Sequence, residues 1–240
     1  MKRLIEEVPP QIRVAILDDH QSIIDGYVYR LSMAPEIQIV ATAVYGEDLD
    51  PMMANHAVDV LLLDISIPFS SDDNSPFPVL NVIPHLLQRF PELHILVISM
   101  FTQRSLVEAL MNAGINGYIY KDDQASIQQL GKIVATVASG GIYFSQGAYR
   151  SSQGEASKPV FTPRQLEAIS LCAANPDIET NVLANQLGIS GSTLRNLLSS
   201  AYLRLGVRNR AAAIAKAHQL GILPGSPEVN AGVKKKPSES

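Results

Sequence analysis

The sequence lacks the features that stabilise secreted or membrane-embedded proteins. Cys172 is its single cysteine, which excludes a disulfide framework or a cysteine-rich zinc site and fits a reducing compartment. There is no run of about eighteen consecutive apolar residues, so we expect no membrane-spanning helix. The opening residues, MKRLIEEVPPQ, are not followed by an apolar segment, so we expect no signal peptide. These absences predict a cytoplasmic protein with no membrane partner.

The composition indicates a folded chain of two modules with opposite charge. Hydrophobic residues make up 46% of the 240 residues, enough to form a buried core and to exclude wholesale disorder. Residues 1–150 carry nine Lys/Arg and seventeen Asp/Glu, whereas residues 151–240 carry ten and six. This division predicts modules with different partners, and the basic module makes nucleic acid a candidate.

The front half alternates short apolar runs with amphipathic segments. Helical patterns lie near residues 21–33, 47–56, 79–90, 103–113 and 124–139. The apolar runs between them are Ile12–Leu17, Ile37–Ala43, Val58–Leu63, His94–Ile98 and Gly117–Tyr120. Alternation of this kind predicts a parallel sheet with helices on both faces, and ligands of such sheets bind at the carboxyl ends of the strands.

Polar side chains stand at four of those strand ends. Asp18 and Asp19 follow the first run, Asp64 ends the third, Ser99 follows the fourth and Lys121 follows the fifth. Three converging carboxylates repel one another unless a cation lies among them, and oxygen ligands favour Mg²⁺. A carboxylate in that setting can accept a phosphoryl group, with a lysine and a hydroxyl binding the phosphoryl oxygens. Taken singly, each residue has a plainer interpretation as a turn residue, a helix cap or a surface charge.

These residues and their order resemble the receiver domain of two-component response regulators over residues 11–139. The matching motifs are VAILDDH, LLLDISIP, LVISM and GYIYKDD. The resemblance implies a five-stranded, doubly wound, flavodoxin-like α/β sheet. It also implies Asp64 as phosphoacceptor and Mg²⁺ as the cofactor, with no other cofactor site. The implied Mg²⁺ ligands are Asp18, Asp19, Asp64 and the carbonyl of Ser66. The other implied site residues are Lys121, which pairs with the phosphate, and the switch residues Ser99 and Tyr118.

The chain departs from the receiver pattern in one loop. Residues Phe69–Pro78, FSSDDNSPFP, form a longer segment than is usual there, and it contains no glycine. Asp72 and Asp73 in this loop are either solvated acids or part of a lid or partner-docking element next to the phosphorylation site.

The back half has the pattern of a helix-turn-helix domain over residues 160–223. Thr162 and Ser190 are candidate helix caps, and glycine in LANQLGIS separates two helical patterns. A last helix is expected over about Asn209–Leu220. Residues 140–159 have the composition of a linker, and residues 224–240 that of a disordered tail.

The motifs TPRQLEAISL, LANQLGISGSTLRNLL and LRLGVRNRAAAIAKAHQLGIL resemble the LuxR-type helix-turn-helix of NarL/FixJ response regulators. The resemblance implies that Gly191–Leu205 is the recognition helix, with Arg195 and Asn196 facing bases. The candidate DNA-binding residues are Ser192, Arg195, Asn196, Ser199, Arg204, Arg208 and Arg210.

Together the two resemblances imply a phosphorylation-controlled, DNA-binding transcriptional response regulator of a two-component system. Its partners would be a sensor histidine kinase, double-stranded DNA and, when phosphorylated, a second copy of the chain. It would not be an enzyme beyond catalysing its own phosphotransfer and dephosphorylation. The alternative is a receiver-containing adaptor for protein interactions, whose helical module no longer reads DNA.

Overall fold

The computed structural model describes residues 11–145, 161–220 and 222–223. Its front part is a parallel sheet with the strand order β2-β1-β3-β4-β5-β6. The strands are β1 (Ile12–Leu17), β2 (Ile37–Ala43), β3 (Val60–Leu63), β4 (His94–Ser99), β5 (Gly117–Tyr120) and β6 (Tyr143–Phe144).

The helices of the front part connect these strands and cover both faces of the sheet. They are α1 (Gln21–Leu31), α2 (Leu49–Asn55), α3 (Val79–Arg89), α4 (Arg104–Ala113), α5 (Gln124–Gln128) and α6 (Leu130–Ala138). Successive strand residues point to opposite faces. Leu61 and Leu63 therefore pack in the cluster that includes α2, α3 and α4, while Val60 and Leu62 pack in the cluster that includes α1 and α6.

The sheet contains a sixth strand, where the sequence pattern predicted five. Strand β6 lies inside the predicted linker, beyond the expected receiver boundary at residue 139, and pairs with β5. Ser145 extends this pairing, because its N–H donates to the Tyr118 carbonyl at 2.9 Å and its Oγ accepts from the Tyr120 N–H at 3.0 Å. Two residues are too few to show a strand periodicity, and long-range pairing defines this strand. Residues 146–159 of the predicted linker and the predicted tail, 224–240, lie outside the described residues.

The back part is helical, with a glycine turn between its second and third helices. Its helices are α7 (Pro163–Ala174), α8 (Thr180–Gln186), α9 (Gly191–Leu205) and α10 (Arg210–Gln219). Thr162 and Ser190 cap α7 and α9 as predicted, accepting hydrogen bonds from the Gln165 and Thr193 N–H groups. Gly188, in the turn before α9, has a φ of 62°, a conformation that glycine adopts without steric strain.

The two parts pack against each other through α7, which contacts α3 and α4. Leu80, Leu106 and Leu110 of the front part and Ala173 and Leu223 of the back part belong to one continuous cluster of buried apolar side chains. The contact between the two parts is therefore largely apolar. None of the helices in the described ranges combines the length and the apolar character needed to cross a bilayer.

Candidate functional site

The predicted site residues lie at the carboxyl edge of the sheet. Asp18 follows β1 and Asp64 follows β3, and these two strands are direct neighbours. Ser99 ends β4 and Lys121 follows β5, the next two strands along the sheet. Parallel pairing thus brings together groups that are widely separated along the chain.

Lys121 holds two of the carboxylates together. Its Nζ lies 2.7 Å from Oδ2 of Asp18 and 2.8 Å from Oδ2 of Asp64. All three side chains are buried, with exposed fractions of 10% for Lys121, 2% for Asp18 and 4% for Asp64. The lysine therefore offsets the repulsion between two carboxylates that have little contact with water.

Burial and charge shift the pKa values of this group. Burial raises the pKa of Asp18 above its ordinary value, the charge of Asp64 raises it further, and Lys121 only partly counters both. Burial lowers the pKa of Lys121, but the charges of Asp64 and Asp18 outweigh burial, so this pKa lies above the ordinary lysine value. Burial also raises the pKa of the neighbouring Asp19. The site thus retains a charged ammonium group and contains two carboxylates whose ionised form is less favoured than in water.

Asp18, Asp19 and His20 form a cluster that can hold a metal ion. Their candidate ligand atoms lie within 4.8 Å of one another, and Nδ1 of His20 is 2.6 Å from Oδ1 of Asp19. The buried Oδ2 of Asp18 is contacted by the Lys121 ammonium group at 2.7 Å. A carboxylate oxygen has more than one lone pair, so this contact leaves room for a second ligand. Neighbouring carboxylates of this kind fit a cation that prefers oxygen ligands.

The two candidate switch residues both interact with the backbone of Phe101. Ser99 and Tyr118 are fully buried. The Oγ of Ser99 accepts a hydrogen bond from the Phe101 N–H at 3.3 Å, and the Tyr118 hydroxyl donates to the Phe101 carbonyl. Burial also raises the pKa of Tyr118. In this conformation the ring of Tyr118 lies inside the protein, and its hydroxyl and that of Ser99 both bind the loop after β4.

The candidate recognition helix α9 presents a polar face to solvent. Its N-terminus is fixed by Ser190, and Arg195 reaches back to α8, where its Nη1 donates to Oδ1 of Asn181 at 3.0 Å. The candidate DNA-binding residues that are exposed are Ser192, Arg195, Asn196, Ser199, Arg204 and Arg208. The contact between α7 and the front part leaves this face open.

Arg210 is half-buried, whereas the other arginines in the predicted DNA-binding set are exposed. Its guanidinium donates to the carbonyls of Pro176 and Ile178, at 3.1 and 2.6 Å, and to Oγ1 of Thr180 at 2.9 Å. These bonds fix the connection between α7 and α8. The structure therefore gives Arg210 partners inside its own domain, whereas the sequence pattern suggested a DNA phosphate.

The apolar face of the last helix is also used internally. Ala213 and Ala217 of α10 are buried in the core of their own domain, whereas Leu220 is 46% exposed. In the sequence, the helical spacing of Ala213, Ile214, Ala217 and Leu220 predicts an apolar face that could pair with a second copy. Burial of the two alanines removes most of that face.

Three sets of contacts in these sites could not be predicted from the sequence. They are those of the Phe101 backbone, of Asn181 and of the internal partners of Arg210. None has a residue-type signature, because each contact depends on how separate segments pack. Ser190 and Thr162, by contrast, were predicted because helix caps have a local sequence preference.

A family profile for the response regulator receiver domain matches residues 14–133, which is half of the chain. The chain belongs to this family. The receiver family is regulatory and not a conventional enzyme class, and the helical domain that follows gives the chain the domain order of NarL-type response regulators.

Several curated relatives match this receiver and its helical domain together. The transcriptional regulatory protein MctR of Rhizobium johnstonii is 28% identical over 218 residues, covering 89% of this chain and 96% of the relative. DegU of Brevibacillus brevis is 26% identical over 234 residues, covering 88% and 94%. The probable transcriptional regulatory protein NarL of Mycobacterium tuberculosis is 26% identical over 223 residues, covering 90% and 97%.

A solved structure shares the fold. RcsB from Salmonella enterica serovar Typhimurium, bound to promoter P1flhDC with the phosphomimetic BeF3⁻, matches with a TM-score of 0.62. The identity is 21%, over 87% of this chain and 99% of that one. The match confirms a receiver sheet followed by a helical domain.

Proposed function

We propose that this protein is a transcriptional response regulator of a two-component system, controlled by phosphorylation of Asp64. The observation that carries the proposal is the buried Asp18–Lys121–Asp64 group at the carboxyl edge of the sheet. It combines a carboxylate nucleophile with an ammonium group that can bind phosphoryl oxygens.

The reaction is a phosphoryl transfer to Asp64. A carboxylate oxygen of Asp64 forms the new O–P bond while the P–N bond of a phosphohistidine on the sensor kinase breaks, and the imidazole leaves with the bonding electrons. With acetyl phosphate the broken bond is P–O, and acetate leaves. Hydrolysis later returns the carboxylate and releases inorganic phosphate. Lys121 would bind the phosphoryl oxygens both when the phosphoryl group is transferred and when it is hydrolysed. Because both steps occur at Asp64, the receiver catalyses only its own phosphorylation and dephosphorylation.

The acidic cluster fits Mg²⁺ as the resident ion. Asp18, Asp19, Asp64 and the carbonyl of Ser66 would hold it, since all four supply oxygen. When bound, the ion neutralises the carboxylates and the oxygens of the incoming phosphoryl group. The close approach of the Asp18 and Asp19 carboxylate oxygens supports this assignment.

The output is binding of double-stranded DNA by α9. Arg195 and Asn196 lie early on the helix and would face base edges, while Arg204 and Arg208 would contact phosphates. Arg210 would instead stabilise the helical domain through its hydrogen bonds to the α7–α8 connection. The relatives are named transcriptional regulators, and RcsB is seen as dimers on DNA, which supports DNA and a phosphorylated homodimer as partners here. The buried free thiol of Cys172 suits a cytoplasmic location.

A mobility-shift assay tests this function against the adaptor alternative. Random-sequence double-stranded DNA is mixed with the full-length protein at low salt, with and without acetyl phosphate and Mg²⁺. We expect retardation that strengthens with the phosphoryl donor and weakens in Arg195→Ala. An absence of retardation at low salt, from a chain that still becomes phosphorylated, would instead favour the adaptor.

A further inference from the structure

The long loop after β3 is an ordered hairpin. Pro68 and Pro76 form an antiparallel bridge, and the Phe69 N–H donates to the Ser75 carbonyl at 2.8 Å. At the tip, Oδ1 of Asp73 accepts from the Ser75 N–H at 2.8 Å. Asp73 is therefore part of the turn rather than only a solvated charge. We call residues Phe69–Pro78 the loop hairpin.

One side of the loop hairpin is anchored in the receiver. The Gly46 N–H donates to the Pro68 carbonyl at 3.0 Å, and the Phe77 N–H donates to the Ile67 carbonyl at 2.8 Å. The ring of Phe77 fills the space that a Cβ atom at Gly46 would need. Glycine at this position thus lets the hairpin lie close against the receiver.

The other side of the loop hairpin faces α7. Near Pro76 and Phe77 the space between them is a cavity of about 20 Å³, room for one water molecule at most. Its lining includes Ile65 from the receiver and Ser170, Ala173 and Leu223 from the helical domain. Towards the tip of the hairpin, a wider cleft of about 440 Å³ separates Phe69 and Asp73 from α7. The two surfaces are therefore nearly in contact at the base of the hairpin and apart at its tip.

The same surface is connected to the phosphoacceptor. Oδ1 of Asp64 accepts hydrogen bonds from the N–H groups of Ile65, at 2.6 Å, and Ser66, at 3.3 Å. Ile65 is 2% exposed and borders the cavity that separates the loop hairpin from α7. A change in the hydrogen bonding of the Asp64 carboxylate acts directly on the backbone of a residue at this interface.

We propose that the loop hairpin extends the docking surface that α3 and α4 form for α7, and that it transmits phosphorylation of Asp64 to the position of the helical domain. This inference rests on the proposed function of Asp64. Arg195 and Asn196 are exposed while α7 is docked. The hairpin therefore controls where the helical domain is held, and not whether the DNA-binding face is accessible.

Hydrogen exchange of the full-length protein with Mg²⁺ and beryllofluoride tests the coupling. Fluorine NMR shows whether beryllofluoride binds, and deuterium uptake of the peptide spanning residues 163–174 shows whether α7 responds. In the wild type we expect binding together with altered uptake in α7. A variant with residues 70–75 replaced by two glycines should bind beryllofluoride equally but lose the α7 response.

Two point variants test the α7 side of the interface and provide a matched control. Ser170→Arg places a charged side chain in the interface and should also abolish the α7 response while beryllofluoride still binds. Ser71→Arg makes the same change at the exposed tip and should behave like the wild type. If circular dichroism shows that the shortened variant is unfolded, this pair decides the outcome.

The possible failures are distinguishable. A wild-type protein that binds beryllofluoride without any change in α7 overturns the coupling, as does a normal α7 response in folded Ser170→Arg. Absence of beryllofluoride binding to the wild type contradicts the proposed function itself, and the coupling fails with it.

Discussion

The Nζ atom of Lys121 lies 2.8 Å from Oδ2 of Asp64, so the proposed phosphoacceptor is already paired with a cation before phosphorylation. Phosphorylation of Asp64 would replace this carboxylate oxygen by phosphoryl oxygens that the same ammonium group can bind. The Lys121 ammonium group would then exchange the Asp64 carboxylate oxygen for a nearby phosphoryl oxygen. No further charge has to be buried for this exchange.

Substitution of Asp64 should abolish phosphorylation. After incubation with acetyl phosphate and Mg²⁺, mass spectrometry should show a phosphoryl adduct on the wild-type peptide that contains Asp64 and none on Asp64→Ala. Asp72→Ala removes an exposed acid from the neighbouring loop and should label like the wild type. Equal labelling of Asp64→Ala and the wild type would falsify the assignment.

Removal of the Lys121 charge should destabilise the receiver. Lys121→Met leaves Asp18 and Asp64 buried without their common partner, which should cost about 3–5 kcal/mol in the free energy of unfolding. Urea unfolding at pH 7 in metal-free buffer measures this cost. Lys132→Met, at an exposed position of α6, is the control and should have little effect. A similar small loss in both variants would show that the buried ion pairs contribute no stability.

Asp18 should make the metal-free receiver less stable at neutral pH. Its folded pKa is raised above its unfolded value, so its contribution to stability is fully present below the unfolded pKa. That contribution is lost as the pH rises through the folded pKa. Asp18→Asn should therefore raise the midpoint of thermal unfolding at pH 7 and weaken its pH dependence.

Added Mg²⁺ gives the control for Asp18. The ion should stabilise the wild type more than Asp18→Asn, because it binds the ionised carboxylate. Asp25→Asn, at an exposed position on α1, should leave both the pH profile and the effect of Mg²⁺ unchanged. A lower midpoint for Asp18→Asn in metal-free buffer would show that its ion pair with Lys121 outweighs burial.

Two arginines on either side of the proposed DNA interface should behave differently. Arg195→Ala should cost about 1–3 kcal/mol at one base position and relax specificity there. Arg208→Ala should weaken binding to all sequences and reduce the salt slope by about one unit. A scan of single base substitutions in one binding site, repeated with each variant, separates the two. The opposite result would mean that α9 enters the groove in another orientation.

Arg210 should act on stability. Arg210→Ala removes hydrogen bonds from a charged group to Pro176, Ile178 and Thr180 and should lower the free energy of unfolding by about 1.5–3 kcal/mol. Arg208→Ala, two residues away and exposed, should leave it unchanged. Urea unfolding of both variants decides the matter. If Arg210→Ala unfolds like the wild type and binds DNA weakly, its internal bonds are not its main role.

The sequence allowed good prediction of the sheet and of the side chains that meet at its carboxyl edge, because both follow from local patterns. Apolar runs mark buried strands, and the last residue of each run marks the carboxyl edge where ligands bind. Asp64 and Lys121 could therefore be placed together without knowledge of their distance. The caps of α7 and α9 were predictable for a similar reason, since each depends on one or two adjacent residues.

The features that escaped prediction depend on contacts between distant segments. Arg210 lies in a basic sequence, and only the position of the α7–α8 connection shows that its guanidinium is used internally. The loop hairpin lies against Gly46 and beside the helical domain, and neither neighbour is apparent from the loop sequence. From composition alone, the loop acids were expected to be solvated and Arg210 was expected to bind DNA.

The sixth strand has a practical consequence for dissecting the protein. Strand β5 would otherwise end the sheet with a row of unpaired backbone groups, which is a template for aggregation with another chain. Tyr143 and Phe144 cover that edge, and Ser145 closes its end. A receiver fragment cut at residue 139 would expose β5 and precipitate more readily than a fragment that extends through Ser145.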